Sequence, residues 1–140
     1  MKKPALVFAI KCSVILFFAA CTSLNKLAVS KSISEQLVNK PTWKVNCFSN
    51  ASIDKTCIFE DYTFSFDATG KVVASKGKEV IEGHWLEDNI SNTITISFNN
   101  SNTVLDHLND FWNINTVSDA GISFEKTGEK DTERFLITSL

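Results

Sequence analysis

Residues 62–75 read YTFSFDATGKVVAS, and this stretch decides the fold. Tyr62, Phe64 and Phe66 alternate with Thr63 and Ser65, so the three rings share one face of a strand. Asp67-Ala68-Thr69-Gly70 supplies the residue types of a hairpin turn, and residues 71–75 resume extended structure. Strand, tight turn and returning strand form an antiparallel unit with one apolar face. More sheet or a helix must cover that face.

The same period of two extends in both directions. Upstream, Trp43, Val45 and Cys47 alternate with Lys44 and Asn46. Downstream, Gly77 marks a turn, and residues 80–87 contain Gly83-His84-Trp85. Ile94, Ile96 and Phe98 alternate with Thr95 and Ser97, before a polar turn over residues 99–103. Residues 104–109 suit one or two helical turns, because Leu105 and Leu108 lie three apart. Residues 111–117, a turn at 118–121, residues 122–125, a loop at Gly128 and residues 135–140 bring the count to eight short strands. The reading is all-β: a small antiparallel eight-stranded up-and-down barrel. Closure would remove the exposed sheet edges, but strand spacing alone does not fix whether it is complete. Before the first strand, Ser32 and Glu35 have the spacing of a capping box. They predict a short helix to about Asn39, stopped by Pro41.

The amino terminus has a different character. Lys2 and Lys3 precede an apolar stretch that Lys11 interrupts and that ends Phe18-Ala19-Ala20-Cys21. The run is too short for a membrane span, which needs about 20 apolar residues. It has the layout of a secretory signal. Its end resembles the lipobox of bacterial lipoprotein precursors: a bulky apolar residue, two small residues and a Cys. The resemblance implies removal of residues 1–20 and a diacylglycerol thioether on Cys21. Thr22 stands where an inner-membrane retention signal would place Asp, which implies a lipid-anchored, outer-membrane address in the cell envelope. Residues 21–40 are then a lipidated tether with the short helix, and residues 41–140 the β-domain.

Lys2, Lys3 and Lys11 are the charged residues before Cys21, so the remainder carries 11 basic against 16 acidic residues, a net charge of −5. That balance argues against nucleic acid as a partner and against a polybasic membrane-binding surface. Three Trp and eight Phe remain after residue 20, ample for one core.

The segments Thr42-Trp43-Lys44-Val45, Tyr62-Thr63-Phe64-Ser65-Phe66, Gly83-His84-Trp85, Leu105 to Leu108 with Phe111-Trp112-Asn113-Ile114, and Ile122-Ser123-Phe124-Glu125 follow in a set order. That ordered set resembles the small lipocalin-like domain lipoproteins of Gram-negative bacteria, over residues 41–140. In that group a Gly precedes the first Trp by two, where this chain has Pro41. The resemblance implies a cup that carries a small apolar ligand.

Several residues are candidates for a site. Trp43, Tyr62, Phe64, Phe66, Trp85, Phe98, Trp112 and Phe124 either line a ligand pocket or pack the core, and core packing is the expectation. Cys47 and Cys57 flank nine residues that make a hairpin loop. The expectation is a disulfide across it, the alternative two free thiols on the core face. His84 should face solvent opposite Trp85, and His107 lies on the short helical link. Glu60-Asp61, Glu87-Asp88 and Glu129 with Asp131 read as solvated loop charges, without the spacing of a calcium loop. No nucleophile motif, zinc motif or phosphate-binding glycine loop occurs, so neither an enzyme, a metal nor a cofactor is expected. Two functions remain open: an envelope carrier of a small apolar molecule, and a structural lipoprotein with a solid core that docks an envelope protein.

Overall fold

In a computed structural model describing residues 32–99 and 102–140, the hairpin at 62–75 is one corner of a closed antiparallel barrel. The expected signal peptide, Cys21 and the expected tether up to residue 31 lie outside the described residues. The described part begins with helix α1 (Ile33–Asn39) and strand β1 (Trp43–Asn50). A two-residue strand β2 (Ile53–Asp54) and a 3₁₀ turn (Thr56–Phe59) follow. Then come β3 (Thr63–Phe66), β4 (Lys71–Lys76), β5 (Glu79–Asp88) and β6 (Thr93–Phe98). A second 3₁₀ turn (Leu105–His107) leads to β7 (Asp110–Ser118), β8 (Gly121–Thr127) and β9 (Thr132–Ser139). From β3 to β9 each strand pairs with the next, and β1 closes the ring between β9 and β3. Eight strands form the barrel, and β2 is a ninth, attached only to β1.

The interior follows the period of two. Phe64 and Phe66, Val72 and Ala74, Ile81 and Trp85, Ile94, Ile96 and Phe98, Phe124, and Phe135 and Ile137 are all buried. Gly83 takes the inward position between Ile81 and Trp85 on β5, where a Cβ would lie 2.5 Å from the Ser97 carbonyl and 2.7 Å from the Phe98 ring. Rings occupy much of the middle. Phe124 stacks on Phe135 at 4.5 Å, Trp112 meets Phe135 edge-on at 4.6 Å, and Phe66 meets Trp85 edge-on at 5.8 Å. Burying each such side chain contributes about 1.5–3 kcal/mol.

One irregularity changes which residues face inward. The β1–β9 register shifts between Val45 and Cys47, so the strand gains a residue there. Trp43 and Val45 point in, but beyond the bulge Phe48 points in and Cys47 points out. Cys47 and Cys57 are free, exposed thiols. This corrects both expectations for the pair, the disulfide and the buried thiols on the core face. Unbroken alternation would have kept Cys47 in the core, and the bulge is the physical reason it is not.

The ninth strand also escaped the sequence reading. The β1–β2 turn places Ala51 at φ 51° and Ser52 at φ 66°. Two positive values in a two-residue loop define a turn that normally takes Asn-Gly, and Ala-Ser gives no such signal.

Candidate functional site

Alternating strand directions put the start of β1 and the ends of β3, β5 and β7 on one rim, and α1 lies across it. Ile33 and Leu37 are buried against the core. Trp43 Nε1 donates to the Leu37 carbonyl at 3.1 Å, and Gln36 Nε2 donates to the Ser118 carbonyl. Lys40 Nζ donates to the Asp119 carbonyl at 2.9 Å and lies 5.4 Å from the centre of the Trp43 ring.

The first turn of α1 is capped from across the barrel rather than by its own sequence. Ser32 makes no side-chain cap, so the expected Ser32–Glu35 capping box does not form. Glu87, at the end of β5, accepts four hydrogen bonds instead. They come from Ser32 Oγ at 2.8 Å, Ile33 N at 3.2 Å, Ser34 N at 3.1 Å and Ser34 Oγ. A carboxylate suits the unpaired N–H groups of a helix start. Partial burial pushes the Glu87 carboxyl up. The four hydrogen bonds outweigh this and hold it below the ordinary glutamate value. Glu87 is therefore half-buried and structural, which corrects its reading as a solvated loop charge; Asp88, Glu60, Asp61, Glu129 and Asp131 are exposed as expected.

The opposite mouth is covered by the two 3₁₀ turns. Phe59 and Leu105 are fully buried, and Phe48 meets Phe59 edge-on at 5.1 Å. His107 is half-buried with its ring 5.6 Å from that of Phe48, whereas His84 is exposed. Trp112 Nε1 donates to the Leu108 carbonyl at 2.9 Å, and Asn102 Nδ2 donates to Tyr62 Oη at 2.9 Å.

All eight aromatic candidates are therefore core residues. The three tryptophans also act as ties. Trp43 holds α1, Trp112 holds the second 3₁₀ turn, and Trp85 Nε1 donates to the Asp67 carbonyl of the β3–β4 turn at 3.2 Å. Each indole N–H is thus committed to backbone.

Of the eight, Trp85 alone lines a groove on the α1 rim, an open cleft of about 520 Å³. One wall is α1, with Ser34, Glu35, Val38 and Asn39. The other is the β3–β4 turn, with Ala68, Thr69 and Gly70. Trp85, Leu86 and Glu87 form the floor. The turn is held rigidly: Asp67 Oδ1 accepts from Thr69 N at 2.9 Å, Thr69 Oγ1 at 2.6 Å and Lys71 N at 3.0 Å. Gly70 sits at φ 88°, where a side chain would be strained. Glu87 fixes the opposite wall through the cap. Leu86 points outward and is 70% exposed, so the groove carries apolar surface beside two carboxylates. Among the described residues no three His, Cys, Asp or Glu side chains converge as metal ligands would.

The sequence reading missed the groove because its walls are far apart in the chain. Only the outward parity of Leu86 beside Trp85 could have hinted at it. An apolar residue on the solvent face of a strand is too common to stand out.

The fold and its two covered mouths define a small closed antiparallel β-barrel. The chain is similar to the crystal structure of a DUF4847 family protein from Bacteroides vulgatus. The match has a TM-score of 0.55 at 18% sequence identity, and covers 74% of this chain and 96% of that one. At that identity the likeness concerns the fold. No family model matches the sequence, and no curated protein is similar to it.

Proposed function

We propose that this chain is a lipid-anchored cell-envelope protein, held by acyl chains on Cys21 in the outer membrane, that binds a small apolar or amphipathic molecule and does no catalysis. The ligand sits in the groove between α1 and the β3–β4 turn, outside the aromatic core. The observation that carries this reading is the groove itself. Its volume of about 520 Å³ falls within the ~300–1,000 Å³ of small-molecule sites, and apolar side chains share it with a few polar groups. Titration with an environment-sensitive apolar dye tests it. The wild-type protein should bind, and Leu86→Glu should bind at least tenfold more weakly. Equal binding would place the dye elsewhere. Labelling cells with radioactive palmitate tests the anchor: wild type should carry label and Cys21→Ser none.

A second reading, docking of an envelope protein, is favoured by a different surface. Leu86 and Phe111 are 70% and 69% exposed, and both pair directly with Thr95 on the outer face of β5, β6 and β7. Loss of a cross-linked partner on Phe111→Ser, with dye binding intact, would favour this reading over the first.

A further inference from the structure

Resting on the groove reading above, we propose that the groove selects cationic amphiphiles, an ammonium group on an apolar body, over anionic ones. Its charged lining residues are Glu35 and Glu87, both acidic. Among the described residues no Lys, Arg or His lines it. Among the described residues, the basic side chains next in sequence to the two walls, Lys40 and Lys71, have partners of their own. Lys40 is turned toward the Asp119 carbonyl and the Trp43 ring. Lys71 pairs with Glu82 at 2.6 Å. The two turns beside the groove add Asp67 and Asp88, each accepting hydrogen bonds from its own turn. Within a Debye length of about 10 Å, such one-signed charge attracts cations and repels anions. Val38, Ala68 and Leu86 offer apolar contact for a hydrocarbon body next to that charge. Glu35 is the exposed carboxylate on the wall, so it is the one that meets the head group.

The test uses three probes that share an eight-carbon chain: octylammonium, octanol and octanoate. Binding to the full chain is followed at low ionic strength by the NMR shift of the Trp85 indole N–H, assigned by comparison with Trp85→Phe. Octylammonium should bind at least tenfold more tightly than octanoate, and the difference should fall several-fold in 0.5 M salt. Glu35→Gln should reduce the preference while the Trp43 indole N–H, which donates to the Leu37 carbonyl, keeps its shift and so shows α1 still docked. If all three probes bind alike, charge selection is overturned and the groove reading stands. If none moves the Trp85 signal, both fail. A preference unchanged by Glu35→Gln would show that Glu35 does not meet the head group and overturn the assignment.

Discussion

Replacing Glu87 by Ala should unfasten α1 from the barrel. The carboxylate accepts two backbone N–H groups of the helix start and two serine hydroxyls. Hydrogen bonds to a charged group contribute about 1.5–3 kcal/mol each when buried, and loss of a helix cap costs about 0.5–2 kcal/mol. Glu87 is only half-buried, so water replaces part of what is lost, above all at the hydroxyls. Roughly 1 kcal/mol for each backbone donor and less for each hydroxyl gives about 2–3 kcal/mol in all. For a domain of this size each kcal/mol moves the melting temperature by about 4 °C, so Glu87→Ala should melt about 8–12 °C lower by circular dichroism. Glu82→Ala is the control, since an exposed pair with Lys71 contributes about 0–1 kcal/mol. The pH dependence is fixed as well. The folded-state pKa of Glu87 lies below its ordinary value of 4.5, so its stabilisation is present above that value and is lost as pH falls through the folded one. The margin of wild type over Glu87→Gln should therefore shrink steadily below pH 4.5. A melting temperature within 2 °C of wild type, or a drop no larger than that of Glu82→Ala, would refute the long-range cap.

Other positions allow sharper tests of the scaffold. Ala51→Asn with Ser52→Gly should stabilise the protein by about 1 kcal/mol in urea titrations, because both positions have positive φ that the native residues adopt at a cost. Gly83→Ala should destabilise it by about 1–3 kcal/mol in the same assay, since the added Cβ meets a backbone carbonyl and a ring on β6. Cys47 and Cys57 should both be alkylated by iodoacetamide in the folded, reduced protein, as peptide mass mapping will show, and Cys47→Ser should change stability by less than about 0.5 kcal/mol.

The barrel was legible because its strands are short and their alternation is clean. Tyr62, Phe64 and Phe66, or Ile94, Ile96 and Phe98, need no partner to reveal an inward face. What was not legible depends on through-space events. The bulge after Val45 inverts the facing of Cys47 and Phe48, and no residue type announces it. The cap on α1 comes from a residue more than 50 positions away, so Ser32 and Glu35 suggested a local solution that the fold does not use. The groove is harder still, because it exists only once the helix and the β3–β4 turn stand side by side.

The seam of the barrel has a consequence for how the molecule comes into being. β1 meets β3 at one pair, Trp43 with Phe64, but meets β9 at seven, from Trp43 with Ser139 to Asn50 with Glu133. The first strand of the barrel thus waits for β9, and a chain lacking residues 132–139 leaves β1 without its main partner. Contacts this distant in sequence slow folding, and they delay closure until β9 is in place. A chain ending before Thr132 is therefore a natural receptor for a synthetic peptide of residues 132–140, a split protein whose two pieces restore the ring on mixing.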